Sequence, residues 1–300
     1  MSKPALNYNG QLNQWRTRGL IITDEEFALH CLAHHNYYRL SAYRFPFTVI
    51  GDPDRFLPNT TFDDIWRLYC FDRKLRQLVL EACKRVEISV RSRWAFEIGN
   101  QLGPQAYEDP KHFSHMGRHQ ATLQKLDDEI RRSKEDFISH YSRKYKTCRP
   151  EVWVVVEVAS FGNISNFLKH SPQKIRQDVA NSYRVDEKTL CSLFHFLSVL
   201  RNTAAHHSRI WNRKFVITLQ LPTKKPTYLY QNFNTNPLSP YGRKIYNALV
   251  FLVHMMNEIE PQNTWKKELY SHIKALPSNL IPSMGFPPDW EQRNIWLPGL

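Results

Sequence analysis

The sequence predicts an all-α protein that forms one mostly helical unit. Residues 61–98 contain neither Gly nor Pro and keep a helical period of apolar residues. Residues 186–205 carry the clearest amphipathic stripe of the chain. No internal repeat and no clear linker divides the 300 residues, and 42% of them are apolar, which is enough for a sizeable core.

The N-terminal part begins with a polar segment, residues 1–20, which we expect to form a short arm or docking segment. Thr23-Asp-Glu-Glu26 fits a capping box, so a helix is expected to start there. Residues 34–47 then interleave aromatic residues with arginine. Such rings either pack in a core or stack on nucleic-acid bases, and the sequence leaves both interpretations open.

The middle of the chain is expected to be helical as well. Residues 61–98 predict one very long helix or two abutting helices, and residues 118–146 predict a polar helix that ends before Pro150. The end of this polar helix is strongly basic. From it we predict phosphate contacts by Arg143, Lys144 and Lys146.

The segment Val152–Ala159 is rich in β-branched residues, and propensity alone would predict a strand. Ser171-Pro172 is expected to start a helix with proline in its first turn. Residues 215–221 predict a short strand or an extended segment, and the polar residues 222–240 predict a loop.

The C-terminal part returns to a helical period. Residues 241–258 predict a helix, and the spacing of Trp265, Leu269 and Ile273 predicts another. From Pro277 the chain is rich in proline, so we expect it to wrap around the protein as irregular chain.

Residues 186–215, which begin with an amphipathic helix, are the segment around which we interpret the rest. Asp186 stands where an N-cap is expected. At 100° per residue Arg201 falls inside the apolar stripe, whereas Asn202 and His206 lie on the opposite flank. A guanidinium in an apolar stripe requires a polar cleft, an acidic partner or a second copy of the chain.

The net charge and the cysteines limit the class of protein to which the chain can belong. The 41 Lys and Arg residues exceed the 28 Asp and Glu residues, and a net charge of +13 favours a polyanionic partner or simply a basic, soluble surface. The five cysteines are widely spaced without a Cys-x-x-Cys pair, which predicts reduced thiols in a cytoplasmic protein. No apolar run approaches the roughly 20 residues that span a bilayer, so no membrane association is expected.

A metal site is not expected. His112, His115 and His119 have a spacing loosely compatible with a metal, but no Cys or acidic fourth ligand accompanies them. We therefore predict no metal and no other cofactor.

The string Arg201-Asn-x-x-x-His206, followed by His-x-Arg-x-Trp-Asn-Arg213, resembles the motif of HEPN-type ribonucleases in the form carried by Abi-like abortive infection proteins of bacteria. Residues 34–47 and the strings Phe71–Arg76 and Glu87–Arg91 look Abi-like too. The resemblance covers most of residues 20–260. It implies a HEPN-like helical bundle with extra N- and C-terminal helices, and it favours a helix at Val152–Ala159.

We accordingly expect two parts of unequal size. Residues 1–260 would form the Abi-like helical domain, and residues 261–300 would form a C-terminal helix and an irregular tail. Within the first part, residues 20–110 would be an N-terminal helical subregion and residues 118–215 the core with the motif helix.

RNA cleavage without a metal needs a base for the 2′-hydroxyl, an acid for the leaving 5′-oxygen, and positive charge at the phosphate. His206 suits either proton-transfer role and Arg201 suits the phosphate, which is also the assignment that the resemblance implies. Asn202 is expected to position His206 or a phosphate oxygen, and His207 to be a second proton-transfer group. Helix capping and packing are the alternative roles for Asn202 and His207.

Beyond the motif, Arg209, Arg213 and Lys214 are expected to grip the RNA backbone, whereas Trp211 is expected in the core. The resemblance implies a homodimer in which two motif helices face each other. The sequence thus predicts a metal-independent endoribonuclease that acts as an antiphage toxin on RNA. The alternative is a non-catalytic protein that holds a structured non-coding RNA.

Overall fold

The computed structural model describes residues 5–144, 149–222, 226–237 and 241–297. The all-α prediction is confirmed. The small exception is an antiparallel hairpin of β1 (Thr48–Val49) and β2 (Asp52–Phe56). In chain order the α-helices are α1 (Tyr8–Thr17), α2 (Glu25–His34), α3 (Tyr37–Ser41), α4 (Phe62–Leu102), α5 (Met116–Arg132), α6 (Asp136–Lys144), α7 (Val152–Val158), α8 (Phe161–His170), α9 (Gln173–Asn181), α10 (Glu187–Ala205), α11 (Thr227–Tyr230), α12 (Ile245–Ile259) and α13 (Trp265–Lys274).

The fold is organised around α4, a single helix of 41 residues. Thr61 and Asp64 cap its start reciprocally, and Gly103 ends it with a φ of +109° that side chains rarely allow. Apolar side chains are buried along its whole length, because α7, α9, α10, α12 and α13 pack against it. The motif helix α10 therefore lies directly on the longest element of the protein.

The segment Val152–Val158 is a helix, as the family resemblance favoured and strand propensity did not. Its valines at positions 152, 155 and 156 are buried where α7 packs on α4. The packing of one helical face outweighs the modest preference of β-branched residues for strands.

Several boundaries differ from the sequence expectations. The predicted polar helix 118–146 is two helices, α5 and α6, because the α5 helix ends at Ser133, whose backbone is extended. The N-cap of α2 is Asp24 rather than Thr23, and its carboxylate accepts the N–H of Phe27. Pro172 stands at the N-cap of α9, one position before the expected one.

The N-terminal segment is a packed helix rather than a loose arm, since Trp15 of α1 is fully buried. The predicted loop at residues 222–240 contains the short helix α11. Residues 215–221 form no strand, and this irregular segment is held by backbone bonds from Phe215 and Leu219 to residues 243 and 242.

The chain after α13 forms 3₁₀ turns without an α-helix in its described residues, as expected. It nevertheless belongs to the core, because its large apolar side chains are buried against α12 and α13. These include Leu280, Ile281, Met284, Phe286, Trp290, Ile295 and Trp296. The division of the chain at residue 260 remains a prediction.

Four cysteines, Cys31, Cys70, Cys83 and Cys191, are free thiols, as expected, and Cys148 lies outside the described residues. In the part of the chain that the structure covers, none of the helices combines the length and the apolar character that crossing a bilayer requires.

Candidate active site

The helix α10 begins at a well-formed cap and ends in a left-handed turn that carries both histidines of the motif. The Asp186 carboxylate accepts two backbone N–H groups at the start of the helix. At the other end His206 is the C-cap, and His207 follows with a φ of +57°. The N–H of Ser208 then returns to the carbonyl of Thr203 at 3.0 Å. This is a Schellman motif, whose left-handed position Gly usually occupies because a β-carbon there costs about 1–2 kcal/mol.

Both imidazoles are exposed to solvent. Among the residues described, neither the His206 ring nor the His207 ring forms a hydrogen bond. His207 thus has a structural role through its backbone, as the capping interpretation holds, and leaves its side chain available. His206 still donates its backbone N–H to the carbonyl of Asn202 at 3.0 Å, so the chain leaves the helical path only at His207.

Arg201 has the acidic partner that its place in an apolar stripe requires. Its Nη2 lies 3.5 Å from Oε2 of Glu87 on α4, and its Nη1 donates to Oδ1 of Asn202 at 2.9 Å. The Arg201 side chain is 32% exposed, whereas Glu87 is 9% exposed. The Asn202 amide oxygen therefore helps to orient the guanidinium, and the role of Asn202 toward His206 or a phosphate oxygen stays a prediction.

Glu87 is itself fixed by a second guanidinium. Its Oε1 accepts from Arg91 one helical turn later at 2.6 Å. Arg91 also donates to the carbonyls of Glu157 and Ala159, where α7 ends. A cation that bonds the last carbonyls of a helix is favourable. The motif arginine is thus connected to a rigid junction of α4 and α7.

The segment after the motif is held by a second acid of α4. Asp72 is fully buried, and its Oδ1 accepts the backbone N–H groups of Ile210 at 3.1 Å and Trp211 at 2.7 Å. Its Oδ2 accepts from the Tyr43 hydroxyl at 2.6 Å and pairs with Arg76. Burial raises the pKa of Asp72, and the four donors act in the opposite direction. Burial and the neighbouring carboxylate also raise the pKa of the Tyr43 hydroxyl.

Two hydrogen bonds join the short helix α3 to the residues at the end of the motif. One arginine donor lies on α3, and the other follows the histidines. Arg39 donates to the carbonyl of His207 at 2.7 Å, and Arg209 donates to the carbonyl of Ala42 at 2.5 Å. The guanidinium of Arg209 also lies 5.9 Å from the ring centre of Trp211, which is fully buried as expected. Burial lowers the pKa of Arg209. Its bond to Ala42 shows that part of its role is structural.

A groove of about 520 Å³ opens between α3 and the residues that follow the motif. Its lining includes three arginines, and no Asp or Glu lines it in the described part of the chain. The residues are Asn36, Tyr38, Arg39, Ala42, Tyr43, His207, Ser208, Arg209 and Arg213. The structure thus brings His207, Arg209 and Arg213 together at one concave, basic surface.

Comparison with known proteins gives one match. Residues 30–212, more than half of the chain, match the family model described as Abi-like protein. The chain belongs to the Abi-like protein family. No curated protein and no solved structure matches it. The matched region includes α10, the motif, and both acids of α4, and membership implies a role in abortive infection.

The remaining basic residues of this Abi-like protein are placed differently. Lys214 is exposed just beyond the groove, and Arg213 donates to the carbonyl of Arg209 at 3.3 Å. On α6, Arg143 and Lys144 are exposed, and the Arg143 side chain donates to a carbonyl of its own helix. Lys146 lies outside the described residues.

Arg149, which follows the predicted phosphate-binding residues in the chain, is unsuited to phosphate contact. It pairs with Asp127 at 2.7 Å and with Glu108 at 2.8 Å, and these two carboxylates raise its pKa. The basic surface of α6 is therefore smaller than the sequence indicates.

The histidines of the connector after α4 have local structural partners. His119 is buried and contacts the carbonyl of Tyr107 at 2.8 Å, and the His115 ring caps α5. Within the described ranges, no group of three or more His, Cys, Asp or Glu side chains could hold a metal ion.

Sequence reasoning did not identify Glu87, Asp72 and Arg39 as parts of the site. A signal was present for the two acids, because each has an arginine four residues later within a string that looks Abi-like. Their partners in the motif lie 114 and 139 residues away, which no local pattern specifies.

Proposed function

We propose that this Abi-like protein is a metal-independent endoribonuclease that acts as a toxin in abortive infection. The Arg201–Glu87 ion pair, on the helix whose end carries two exposed imidazoles, is the observation that supports this activity most directly. A guanidinium has five N–H donors, and Glu87 and Asn202 take two of those on Arg201. The others remain for the oxygens of a phosphate, whose negative charge grows during the reaction.

In the proposed reaction, one imidazole takes the proton of the ribose 2′-hydroxyl while the O2′–P bond forms. The P–O5′ bond breaks, and a second imidazole gives its proton to the leaving 5′-oxygen. The products are a 2′,3′-cyclic phosphate and a 5′-hydroxyl. His206 is assigned to one of these steps, and His207 or a second copy of His206 to the other.

A homodimer would supply that second copy, and an exposed apolar patch on α4 and α7 supports this proposal. On α4 the side chain of Phe96 is 57% exposed, and Trp153 of α7, which lines the same shallow pocket, is 53% exposed. Exposed apolar side chains that form one patch mark interaction surfaces. Phe96 lies on the same helix as Glu87, the residue that contacts Arg201.

The test is cleavage of total cellular RNA and tRNA in EDTA, with mapping of the product ends. Wild-type protein is expected to leave 2′,3′-cyclic phosphates, and His206→Ala and Arg201→Ala are expected to lower the rate about 100-fold or more. His140→Ala, which removes an exposed histidine of α6, is the matched control. Equal cleavage by wild type and both motif variants would contradict the proposal.

A non-catalytic RNA-binding protein is the second candidate, and the groove lined by Arg39, Arg209 and Arg213 favours it. No Asp or Glu in the described part of the chain lines this groove. Such a protein would hold a structured non-coding RNA through its basic surface. Purification in low salt followed by sequencing of bound nucleic acid distinguishes the two. Bound RNA without any cleavage by wild type would favour the second candidate.

A further inference from the structure

Tyr38 is the most exposed aromatic side chain among those that the structure describes, with 79% of its surface accessible. An exposed ring of this kind is usually mobile, but its backbone is fixed. Asn36 accepts the Tyr38 N–H at 2.8 Å, and the ring of Tyr37 packs edge-on at 5.6 Å between ring centres. Tyr38 therefore presents a flat apolar face to solvent from an ordered turn of helix.

The ring stands on a ridge between two grooves. On one side is the basic groove of about 520 Å³ that ends at His207. On the other side is a groove of about 730 Å³ between α1, α2 and α3, lined among others by Gln11, Arg18 and Arg44. Because Tyr38 and Asn36 line both grooves, the two form one continuous track across the surface.

The charge along this track is positive. The first groove contains Arg39, Arg209 and Arg213 without an acidic side chain in its described lining. In the second groove Arg18 and Arg44 share the single carboxylate of Asp54, at 3.1 Å and 3.3 Å. The arginines at both sides of an exposed aromatic ring match a nucleic-acid strand, whose phosphates alternate with flat bases.

We infer that Tyr38 stacks on an unpaired base of single-stranded RNA, next to the nucleotide whose phosphate reaches the motif. This inference rests on the proposed function, because it takes the groove at His207 as the approach to the cleavage site. The strand passes from His207 over Tyr38 toward Arg18 and Arg44. A duplex is excluded from this mode, since its bases are stacked on each other and do not offer a free face.

The contact between Arg39 and His207 connects the Tyr38 site to the turn that carries the histidines. Arg39 directly follows Tyr38, and its guanidinium holds the carbonyl of His207 at 2.7 Å. The stacking ring and the turn that carries the histidines are therefore joined by one side chain. The protein then prefers RNA that is flexible near the cleavage site, because a base must unstack from its neighbours to reach Tyr38.

The test is binding of a fluorescent, mixed-sequence single-stranded RNA oligonucleotide, measured by anisotropy in the full chain with His206→Ala, so that no cleavage occurs. Adding Tyr38→Ala is expected to weaken binding about tenfold, whereas Tyr38→Phe keeps the ring and retains binding. Tyr230→Ala is the matched control, because Tyr230 of α11 is 38% exposed but lines neither groove.

Four results would contradict the inference. Tyr38→Ala could leave RNA binding unchanged, or Tyr38→Phe could weaken it as much as Tyr38→Ala. A blunt RNA duplex could bind as tightly as the single strand, or the protein could bind no RNA at all. Cleavage assays separate this from the proposed function. If RNA is cleaved but Tyr38→Ala does not weaken RNA binding, only the proposed stacking site is wrong. If binding depends on Tyr38 but wild type cleaves nothing, the proposed nuclease activity is wrong.

Discussion

The carboxylate of Glu87 lies 3.5 Å from the guanidinium of Arg201, although 114 residues separate them in the chain. The same carboxylate binds Arg91, which in turn bonds the end of α7. Arg201 is thus held in one orientation before any substrate binds. Sites whose side chains are fixed by a second layer of contacts do not have to order themselves during the reaction.

Glu87→Gln is expected to lower the rate of RNA cleavage about tenfold to hundredfold, because a misplaced guanidinium no longer meets the phosphate correctly. Single-turnover kinetics with a defined RNA measures this effect. Glu97→Gln is the control, since it removes a pair with Arg93 on the same helix without touching the motif. An unchanged rate for Glu87→Gln would show that the ion pair does not orient Arg201.

Asp72→Asn is expected to lower the free energy of unfolding by about 3–5 kcal/mol, because it leaves the buried Arg76 without its counter-charge. Urea denaturation followed by circular dichroism measures the difference. Asp178→Asn removes a carboxylate whose partner, Lys174, is 74% exposed, and it should cost about 1 kcal/mol or less. Equal effects of the two substitutions would contradict the central place of Asp72.

The stability of the protein is expected to decrease as the pH is lowered, because of the His254 imidazole. The ring is 3% exposed and contacts the Tyr183 carbonyl at 2.7 Å and the Tyr228 hydroxyl at 2.8 Å. Burial lowers its pKa, although Glu258 acts in the opposite direction. The unfolded chain therefore binds a proton below about pH 6.5 that the folded chain does not, and stability is lost as the pH falls toward the folded pKa.

Urea denaturation between pH 7.5 and 5 checks this expectation. His254 should contribute a slope of at most about 1.4 kcal/mol per pH unit below its unfolded pKa. His254→Gln should make the profile shallower, whereas His140→Gln changes an exposed ring and should leave it as in wild type. A steeper profile in His254→Gln would show that the sign is wrong.

Phe96→Asp is expected to convert a dimer into a monomer if the apolar patch of Phe96 and Trp153 joins two copies. A carboxylate in a buried apolar interface has no partner and costs several kcal/mol. Light scattering during gel filtration gives the mass of each species. Phe45→Asp places the same charge at another exposed aromatic residue and should leave the mass unchanged. A monomeric wild type would refute the homodimer.

Much of the fold could be predicted from periodicity. The long helix α4, the motif helix α10 and the helix α13 follow directly from apolar spacing and caps. The break between α5 and α6 could not, because Ser133 and its neighbours include neither Gly nor Pro. For α7 the local preference pointed to a strand, and only packing on α4 decides for the helix.

The site was predictable in its residue types but not in its contacts. Asn202 was expected to position His206 or a phosphate oxygen, and its bond to Arg201 was not expected, because adjacent residues of a helix do not face each other. The left-handed turn at His207 was invisible, since Gly is the usual signal for it and His stands there. The exposure of Tyr38 and the burial of Tyr43 depend on how α3 lies on α4.

The indole of Trp211 donates to the carbonyl of Leu280, which is 69 residues further along the chain. Translation proceeds at about 5–20 residues per second, so this partner is made about 3–14 s after the motif itself. Lys244, which binds Asn212 beside the motif, likewise waits for the carbonyl of Ser283. During synthesis the segment that follows the two histidines therefore lacks these contacts for several seconds. A ribosome-bound chain that ends before Leu280 cannot yet have the finished site.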